Sequence, residues 1–182
     1  MNLGTISLRY AKALFEYAKE LGAETAIYNN MLQLRIALRE LKELPVQLKN
    51  PKLTMSERSA IICKTVDSSP LFERFANLVV KAGREDMLLY IAYAYIAIYR
   101  EKMKVLSLKV TTAVPMADDL QKKIENIIEE QNDVTIEMRN IVDDDIIGGF
   151  VCEVNSTRLD ASVRNQLSEI RKQLIKNNRK LV

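Results

Sequence analysis

The 182-residue sequence contains no histidine, and it has only two cysteines, five glycines and four prolines. Without histidine, the chain lacks the usual general base near neutral pH and the commonest metal ligand. No glycine-rich phosphate loop is present, since neither GxxxxGK[ST] nor GxGxxG occurs. Its serines have no evident partner base, and nothing singles out a pair of carboxylates for acid–base chemistry. These absences favour a protein that is not an enzyme.

The cysteine spacing and the apolar runs bear on the compartment of the protein. Cys63 and Cys152 are 89 positions apart, which predicts buried free thiols in a reducing compartment rather than a disulfide. The longest apolar run, from Met87 to Tyr99, has about 13 residues, whereas a membrane helix needs about 20. The N-terminus shows no signal-peptide pattern. We therefore expect a soluble protein that reaches a membrane only through its partners.

The net charge of +3 is unevenly distributed along the chain. Residues 1–104 carry 16 Lys/Arg and 11 Asp/Glu, whereas residues 105–182 carry 11 and 13. Neither part has the dense basic field of a nucleic-acid-binding protein. The acidic run 143–145 lacks the spaced oxygen ligands and the glycine of a calcium loop, so we interpret it as a solvated turn.

Helical periodicity dominates the first 104 residues. Thr5 or Ser7 is predicted to cap a first helix, and Gly22 to end it. The second helix is predicted over 24–44, with one apolar stripe formed by Ile27, Met31, Leu34, Leu38 and Leu41. Pro45 and Pro51 leave room for at most a short helical turn between them.

Two further helix starts follow. Thr54 and Glu57 form a capping box, and the next buried face is predicted from Ala60, Ile61, Val66 and Cys63. A serine cap followed by Pro70 starts another helix, whose apolar face is Leu71, Phe75, Leu78 and Val79. It ends near Gly83. The segment 84–104 is a helix with almost no polar face in its middle, so it must be covered on more than one side.

The remainder of the chain combines the two-residue periodicity of strands with the periodicity of helices. Alternation predicts strands at 105–114, around 134–138 and at 147–154, with a helix over 117–131 between the first two. The pair Gly148-Gly149 indicates a bulge or a close backbone approach. Leu159 closes a short hairpin, and Asp160 or Ser162 caps a final helix. Its apolar stripe is formed by Val163, Leu167, Ile170 and Leu174.

These patterns predict a mainly α protein. Its N-terminal antiparallel six-helix bundle spans residues 1–104, and a small α+β C-terminal domain spans residues 105–182.

The most specific pattern lies at 146–167. It reads Ile-Ile-Gly-Gly-Phe-Val and, after a short turn, Leu-Asp-Ala-Ser-Val-Arg-Asn-Gln-Leu from Leu159. Together with Arg-Tyr-Ala-Lys-Ala-Leu-Phe from Arg9 and Gly-Arg from Gly83, it resembles the δ subunit of bacterial F-type ATP synthase. That family is called the oligomycin-sensitivity-conferring protein in mitochondria. Ala161 stands where the family often has glycine.

The resemblance implies a non-catalytic peripheral-stalk (stator) subunit, which links the catalytic F1 head to the membrane Fo sector. It implies that the N-terminal bundle binds the N-terminal helix of the α subunit, and that the C-terminal domain holds the b-type stalk helices. A first contact of this kind needs an apolar trough between two helices. Its candidate residues are Tyr10, Ala13, Leu14, Tyr17, Phe75, Leu78 and Val79, and the alternative for each is a plain core position. The candidates for the second contact are Leu167, Ile170 and Leu174.

The resemblance also implies a peripheral position at the cytoplasmic face of the bacterial inner (plasma) membrane. No cofactor, metal, nucleic acid or small-molecule substrate is expected.

An RNA-binding helical adaptor is the alternative function, because helical bundles of this size bind RNA and residues 1–104 are positively charged. Against it, the charges are scattered and no helix carries a basic stripe. An enzyme has only undirected carboxylates in its favour.

Overall fold

The computed structural model describes residues 3–132, 134–154 and 157–178, and in these residues it is mainly helical with one four-stranded sheet. The chain divides into two units, Met1–Lys102 and Met103–Val182. Unit 1 holds α1 (Leu3–Glu20), α2 (Glu24–Glu40), α3 (Glu43–Leu48), α4 (Met55–Lys64), α5 (Pro70–Lys81) and α6 (Leu88–Lys102). Unit 2 holds β1 (Val105–Thr112), α7 (Asp118–Asn132), β2 (Thr135–Val142), β3 (Phe150–Val154), β4 (Thr157–Asp160) and α8 (Val163–Asn178).

Glycines end α1 and α5, as the sequence predicted. Gly22 and Gly83 both adopt a left-handed backbone, with φ of 61° and 62°. Beyond Gly22, the N–H of Ala23 returns to the carbonyl of Ala18 at 2.9 Å, and the same closure recurs after α5. This geometry satisfies carbonyl groups that the helix end would otherwise leave without a partner.

The predicted N-caps of α4 and α5 are confirmed. The Thr54 hydroxyl accepts the N–H of Glu57 at 3.3 Å, and the Glu57 carboxylate accepts the N–H of Thr54 at 2.8 Å. The Ser69 hydroxyl accepts the N–H of Phe72, and Pro70 is the first helical residue. Such caps are worth about 1 kcal/mol each because they satisfy donors that the helix cannot.

Three details of the helix predictions are wrong. Helix α1 already runs from Leu3, so Thr5 and Ser7 lie inside it rather than at its cap. Helix α2 ends at Glu40, which leaves Leu41 exposed. Helix α4 buries Ser59 and Ile62 because it is short and packs mainly against α5. The residues predicted for its buried face are half-buried or exposed: Ala60, Ile61, Cys63 and Val66.

Helix α6 forms the core of unit 1. It packs against α1 and α2, where Ile91 and Tyr95 are fully buried. The Tyr95 hydroxyl donates to the carbonyl of Glu24 at 3.2 Å, and burial raises the pKa of this phenol well above its usual value. Full burial of such side chains contributes about 1.5–3 kcal/mol each. Tyr90 and Tyr93 remain exposed, so unit 1 covers α6 incompletely.

The sheet of unit 2 has the order β2-β1-β3-β4. Strands β1 and β2 are parallel and are joined through α7, while β1–β3 and β3–β4 are antiparallel. At the edge of the sheet, the Glu129 carboxylate accepts the N–H of Ile136 at 2.8 Å. Strand β3 begins at Phe150 rather than at Ile147, because the backbone of Ile147 has a φ of 69°. Helix α7 packs on β2.

A tight contact joins the segment before β3 to the start of α8. The N–H of Ala161 donates to Phe150, and that of Val163 donates to Gly148, both at 3.0 Å. Gly149 has a φ of 73°, and a Cβ at this position would overlap the carbonyl oxygen of Ala161. The close backbone approach predicted for the glycine pair is therefore confirmed.

We expect Gly149→Ala to lower the free energy of unfolding of unit 2 by about 2 kcal/mol or more, because it adds both steric overlap and left-handed strain. Urea unfolding of the full chain, with hydrogen exchange to locate the loss in residues 103–182, measures this effect. Gly4→Ala is the matched control, since nothing lies within 4 Å of a Cβ there. Wild-type stability in Gly149→Ala would contradict the geometry described.

Candidate functional site

An apolar groove lies between α1 and α5. Its volume is about 610 Å³. The lining residues are Arg9, Tyr10, Ala13, Leu14, Tyr17, Leu71, Arg74, Phe75 and Leu78. Six of the seven candidate residues for the α-subunit contact are therefore brought together on one surface.

Helical spacing explains why these side chains converge. On α1 they lie at positions 10, 13, 14 and 17, and on α5 at 71, 74, 75 and 78, so each set forms one face of its helix. Leu14 and Phe75 are buried in the floor. Tyr17 and Leu78 stand at the rim, 40% and 54% exposed. Ala13 is small and exposed, which leaves room for another chain to approach the backbone.

Arginines hold both groove tyrosines by their hydroxyls. Arg74 Nη1 donates to Tyr17 Oη at 2.9 Å, and Arg84 Nη1 donates to Tyr10 Oη at 3.1 Å. The Arg84 guanidinium also lies 5.3 Å from the centre of the Tyr10 ring, a cation–π contact. The arginine bound to Tyr10 lies just beyond the C-terminal end of α5, whereas the arginine bound to Tyr17, further along α1, lies near the start of α5. Helices α1 and α5 are therefore antiparallel. With the hydroxyls satisfied, the rings add apolar surface to the groove.

Val79 does not line the groove. It is 0% exposed, and it lies in the core of unit 1. One residue turns a helix by about 100°, so Leu78 faces the groove and Val79 faces the interior. Sequence reasoning missed Arg9, Leu71 and Arg74 as lining residues. The i, i+3, i+4, i+7 spacing from Leu71 to Leu78 was the signal that could have found two of them.

Unit 2 exposes apolar side chains on α8 and on its β-hairpin. Leu167 and Ile170 share one face of α8 and are 54% and 53% exposed. Phe150 and Leu159 of the hairpin are also exposed. The side chain of Leu174 lies outside the described residues. A large apolar side chain that unit 2 leaves uncovered can contribute to a contact with a partner.

The start of α8 is held by a hydrogen-bond network. The Asp160 carboxylate accepts the N–H of Ser162 at 3.1 Å and its hydroxyl at 2.6 Å. The Ser162 hydroxyl in turn accepts the N–H of Asn165 at 3.2 Å. Of the two predicted caps, Ser162 is therefore the cap and Asp160 positions it. The bonds from Ser162 lower the pKa of the Asp160 carboxyl.

The acidic run and the cysteines have local structural surroundings. Asp143 Oδ1 accepts the N–H of Asp145 and begins a short 3₁₀ turn, Asp144–Ile146. Within the described ranges, no three His, Cys, Asp or Glu residues are placed to hold a metal ion. Both cysteines are free and half-buried, and burial raises the pKa of each thiol. Among the helices of the described residues, none has the length and apolarity needed to cross a membrane.

Comparison with known proteins gives concordant matches. The family model described as the ATP synthase delta (OSCP) subunit matches residues 6–174. The ATP synthase subunit delta of Bacteroides fragilis is 37% identical, and that of Phocaeicola vulgatus is 35% identical, each over 100% of both chains. The Enterococcus hirae subunit delta is 33% identical over 93% of this chain and 96% of its own.

A solved structure shares the fold. A chain of the Toxoplasma gondii mitochondrial ATP synthase hexamer, determined by cryo-EM, aligns with a TM-score of 0.65 at 20% identity. The alignment covers 93% of this chain and 97% of that one. Both units of the fold therefore recur in that chain.

The Asp160 network predicts a pH dependence of unit 2. Because the folded state lowers the pKa of this carboxyl from its ordinary value of 3.8, the carboxylate stabilises the fold above that pH. The stabilisation is lost as pH falls through the lower, folded-state pKa. We expect Asp160→Asn to be less stable than wild type near pH 6, with the difference shrinking below about pH 4.

Urea unfolding measured across this pH range tests the expectation. Asp86→Asn, which removes an exposed carboxylate from unit 1, controls for the loss of one charge. A constant difference between Asp160→Asn and wild type at every pH would show that the carboxylate charge plays no part.

Proposed function

Since the chain belongs to the ATP synthase delta (OSCP) subunit family, we propose that it is the peripheral-stalk subunit that links the F1 head to the Fo sector. It is a structural, non-catalytic subunit that works with other subunits of ATP synthase. Its task is to prevent the head from turning with the rotor. A linker with this task needs two surfaces that hold different partners.

We assign the contact with the F1 head to the groove between α1 and α5 in unit 1. This groove is the observation that supports the proposal. An amphipathic helix binds by laying its apolar face into a trough, with anchors at i, i+3, i+4 and i+7. Helices α1 and α5 form such a trough, since they are antiparallel and present apolar rows of that same spacing. The occupant is the N-terminal helix of the α subunit, and α1 to α6 act as one antiparallel six-helix bundle that presents the groove.

The free energy gained by burying apolar anchors, compared with the free-energy cost of association, indicates how long the docked helix must be. Each fully buried apolar anchor contributes about 1.5–3 kcal/mol, so four anchors contribute roughly 6–12 kcal/mol. Association costs about 4–15 kcal/mol in lost freedom of motion. Four anchors, which take about two full turns of helix, therefore only match the cost of association, so the docked helix must be at least about this long.

The stalk contact is assigned to unit 2. Leu167 and Ile170 present an exposed apolar row on α8, which Leu174 continues in the sequence. The network of Asp160 and the backbone contact at Gly149 hold the first turn of α8 on the sheet. A helix fixed in this way can transmit force from the b-type stalk helices into the rest of unit 2.

In this arrangement residues 1–104 are the head-binding domain and residues 105–182 the stalk-binding domain. The protein is peripheral, at the cytoplasmic face of the bacterial inner membrane, and it is held there by its partners.

The RNA-binding alternative receives no support from the relatives. The groove also argues against it, because its floor consists of aliphatic and phenylalanine side chains rather than a track of cations.

Filling the groove tests the head contact. We expect Ala13→Phe to weaken binding of a synthetic α-subunit N-terminal helix by about 10- to 100-fold, because the added ring occupies the space needed by the docked helix. Calorimetric titration of the full chain measures the dissociation constant, and ATP synthesis in membrane vesicles measures coupling. Ala60→Phe on α4 is the control, since Ala60 is exposed away from the groove. Equal affinity of Ala13→Phe and wild type would refute the assignment.

Charge on α8 tests the stalk contact. We expect Leu167→Glu combined with Ile170→Glu to weaken binding of the soluble stalk helices of the b subunit by about 100-fold or more, since two charges must be desolvated on binding. Thermal unfolding should change little because both side chains are exposed. Val114→Glu, also exposed in unit 2, is the single-charge control. Undiminished binding by the double variant would place the contact elsewhere.

A further inference from the structure

The groove between α1 and α5 has a charge of one sign. Arg9 on α1 and Arg74 on α5 line it, and none of its described lining residues is acidic. Glu16 and Glu73 are close to these residues in the sequence, but neither lines the groove. Glu73 instead accepts a hydrogen bond from the hydroxyl of Ser68. Arg9 and Arg74 therefore lie beside an apolar floor, and no carboxylate among the described lining residues neutralises their charge.

Neither arginine has its charge compensated by an ion pair among the described residues. Arg9 and Arg74 are both exposed. Arg74 donates to a hydroxyl, Tyr17 Oη, at 2.9 Å, and this bond holds the guanidinium beside the groove. Because an arginine presents five donors, those that remain on Arg74 are available to a carboxylate of a bound helix.

The positions of Arg9 and Arg74 indicate how far apart the two positive charges lie along the groove. Arg74 is bound to Tyr17, which lies eight residues along α1 from Arg9. Eight residues of helix span about 12 Å, or a little over two turns. A helix lying along the groove would therefore meet the two guanidinium groups about two turns apart.

We propose that Arg9 and Arg74 select the docked helix by charge, and that this helix carries acidic side chains about two turns apart beside its apolar stripe. The inference rests on the proposed function, in which an α-subunit helix occupies the groove. The apolar floor provides most of the affinity. The arginines accelerate capture and exclude apolar helices with basic flanks, because charges at the rim act mainly on association rate and specificity.

The test is the salt dependence of association between the full chain and a synthetic α-subunit N-terminal peptide. From about 10 mM to about 1 M salt the Debye length falls from about 30 Å to about 3 Å. We expect the wild-type association rate constant to fall by about tenfold or more over this range. Arg9→Gln combined with Arg74→Gln should lower the low-salt rate constant by about tenfold and remove most of its salt dependence.

Two controls separate the local effect from net charge and from the tyrosine bond. Lys12→Gln with Lys19→Gln removes the same charge from exposed sites of α1 that do not line the groove, and it should leave most of the salt dependence in place. Arg74→Lys retains the charge and should retain the salt dependence. A peptide with its carboxylates changed to amides should bind the wild-type chain at a rate that salt barely alters.

The outcomes distinguish this inference from the function on which it rests. If the peptide binds equally fast to wild type and to the double arginine variant at low salt, selection by charge is overturned while the groove assignment stands. The same holds if the amide peptide shows the full salt dependence. If the wild-type chain does not bind the peptide at any salt concentration, the proposed function itself fails.

Discussion

The packing of α6 on α1 is the interaction on which the N-terminal unit depends. Ala11 and Ala18 of α1 are fully buried, and Phe15 lies 6.0 Å from the Tyr95 ring of α6. Because these residues recur every three to four positions, they occupy one side of α1 and leave the opposite side free. Ala13 lies on that opposite side, where it lines the groove. Helix α1 therefore has two different faces: one packs in the core of unit 1, and the opposite side is left to line the groove.

Local features were predictable from the sequence, and features that depend on distant partners were not. The capping box at Thr54 and the left-handed Gly22 and Gly83 follow from residues within one turn, so reading the sequence located them. The choice between Leu78 and Val79 as the outward residue depends on where α1 and the core lie around α5. Both are apolar, and a shift of one position rotates the face by about 100°. The same limit explains the wrong buried face of α4.

The pattern at 146–167 has a physical explanation that its spacing alone does not reveal. Gly149 is required because the carbonyl of Ala161 occupies the space of a side chain, although the two residues are 12 positions apart. Asp160 is required because it orients the cap of α8 through Ser162. Both residues fix α8 on the sheet, and neither performs chemistry. The residues of the family signature therefore hold the start of α8 against the sheet. This structural requirement explains why the sequence pattern indicated the family without knowledge of the contacts.

Holding a torque over many cycles places different demands on capture and on retention. With the contacts proposed above, the rim cations speed capture, but exposed ion pairs are worth only about 0.2–1 kcal/mol each and weaken in salt, so they cannot hold a load. Retention then depends on the buried floor of the groove, whose contribution of roughly 6–12 kcal/mol is of the same size as the cost of association, about 4–15 kcal/mol. A second contact on the same chain changes this balance. While the proposed stalk contact holds, a head helix that leaves the proposed groove site remains at high effective concentration and rebinds. Since complete detachment then requires both contacts to open together, two moderate contacts on one chain can form a durable linkage.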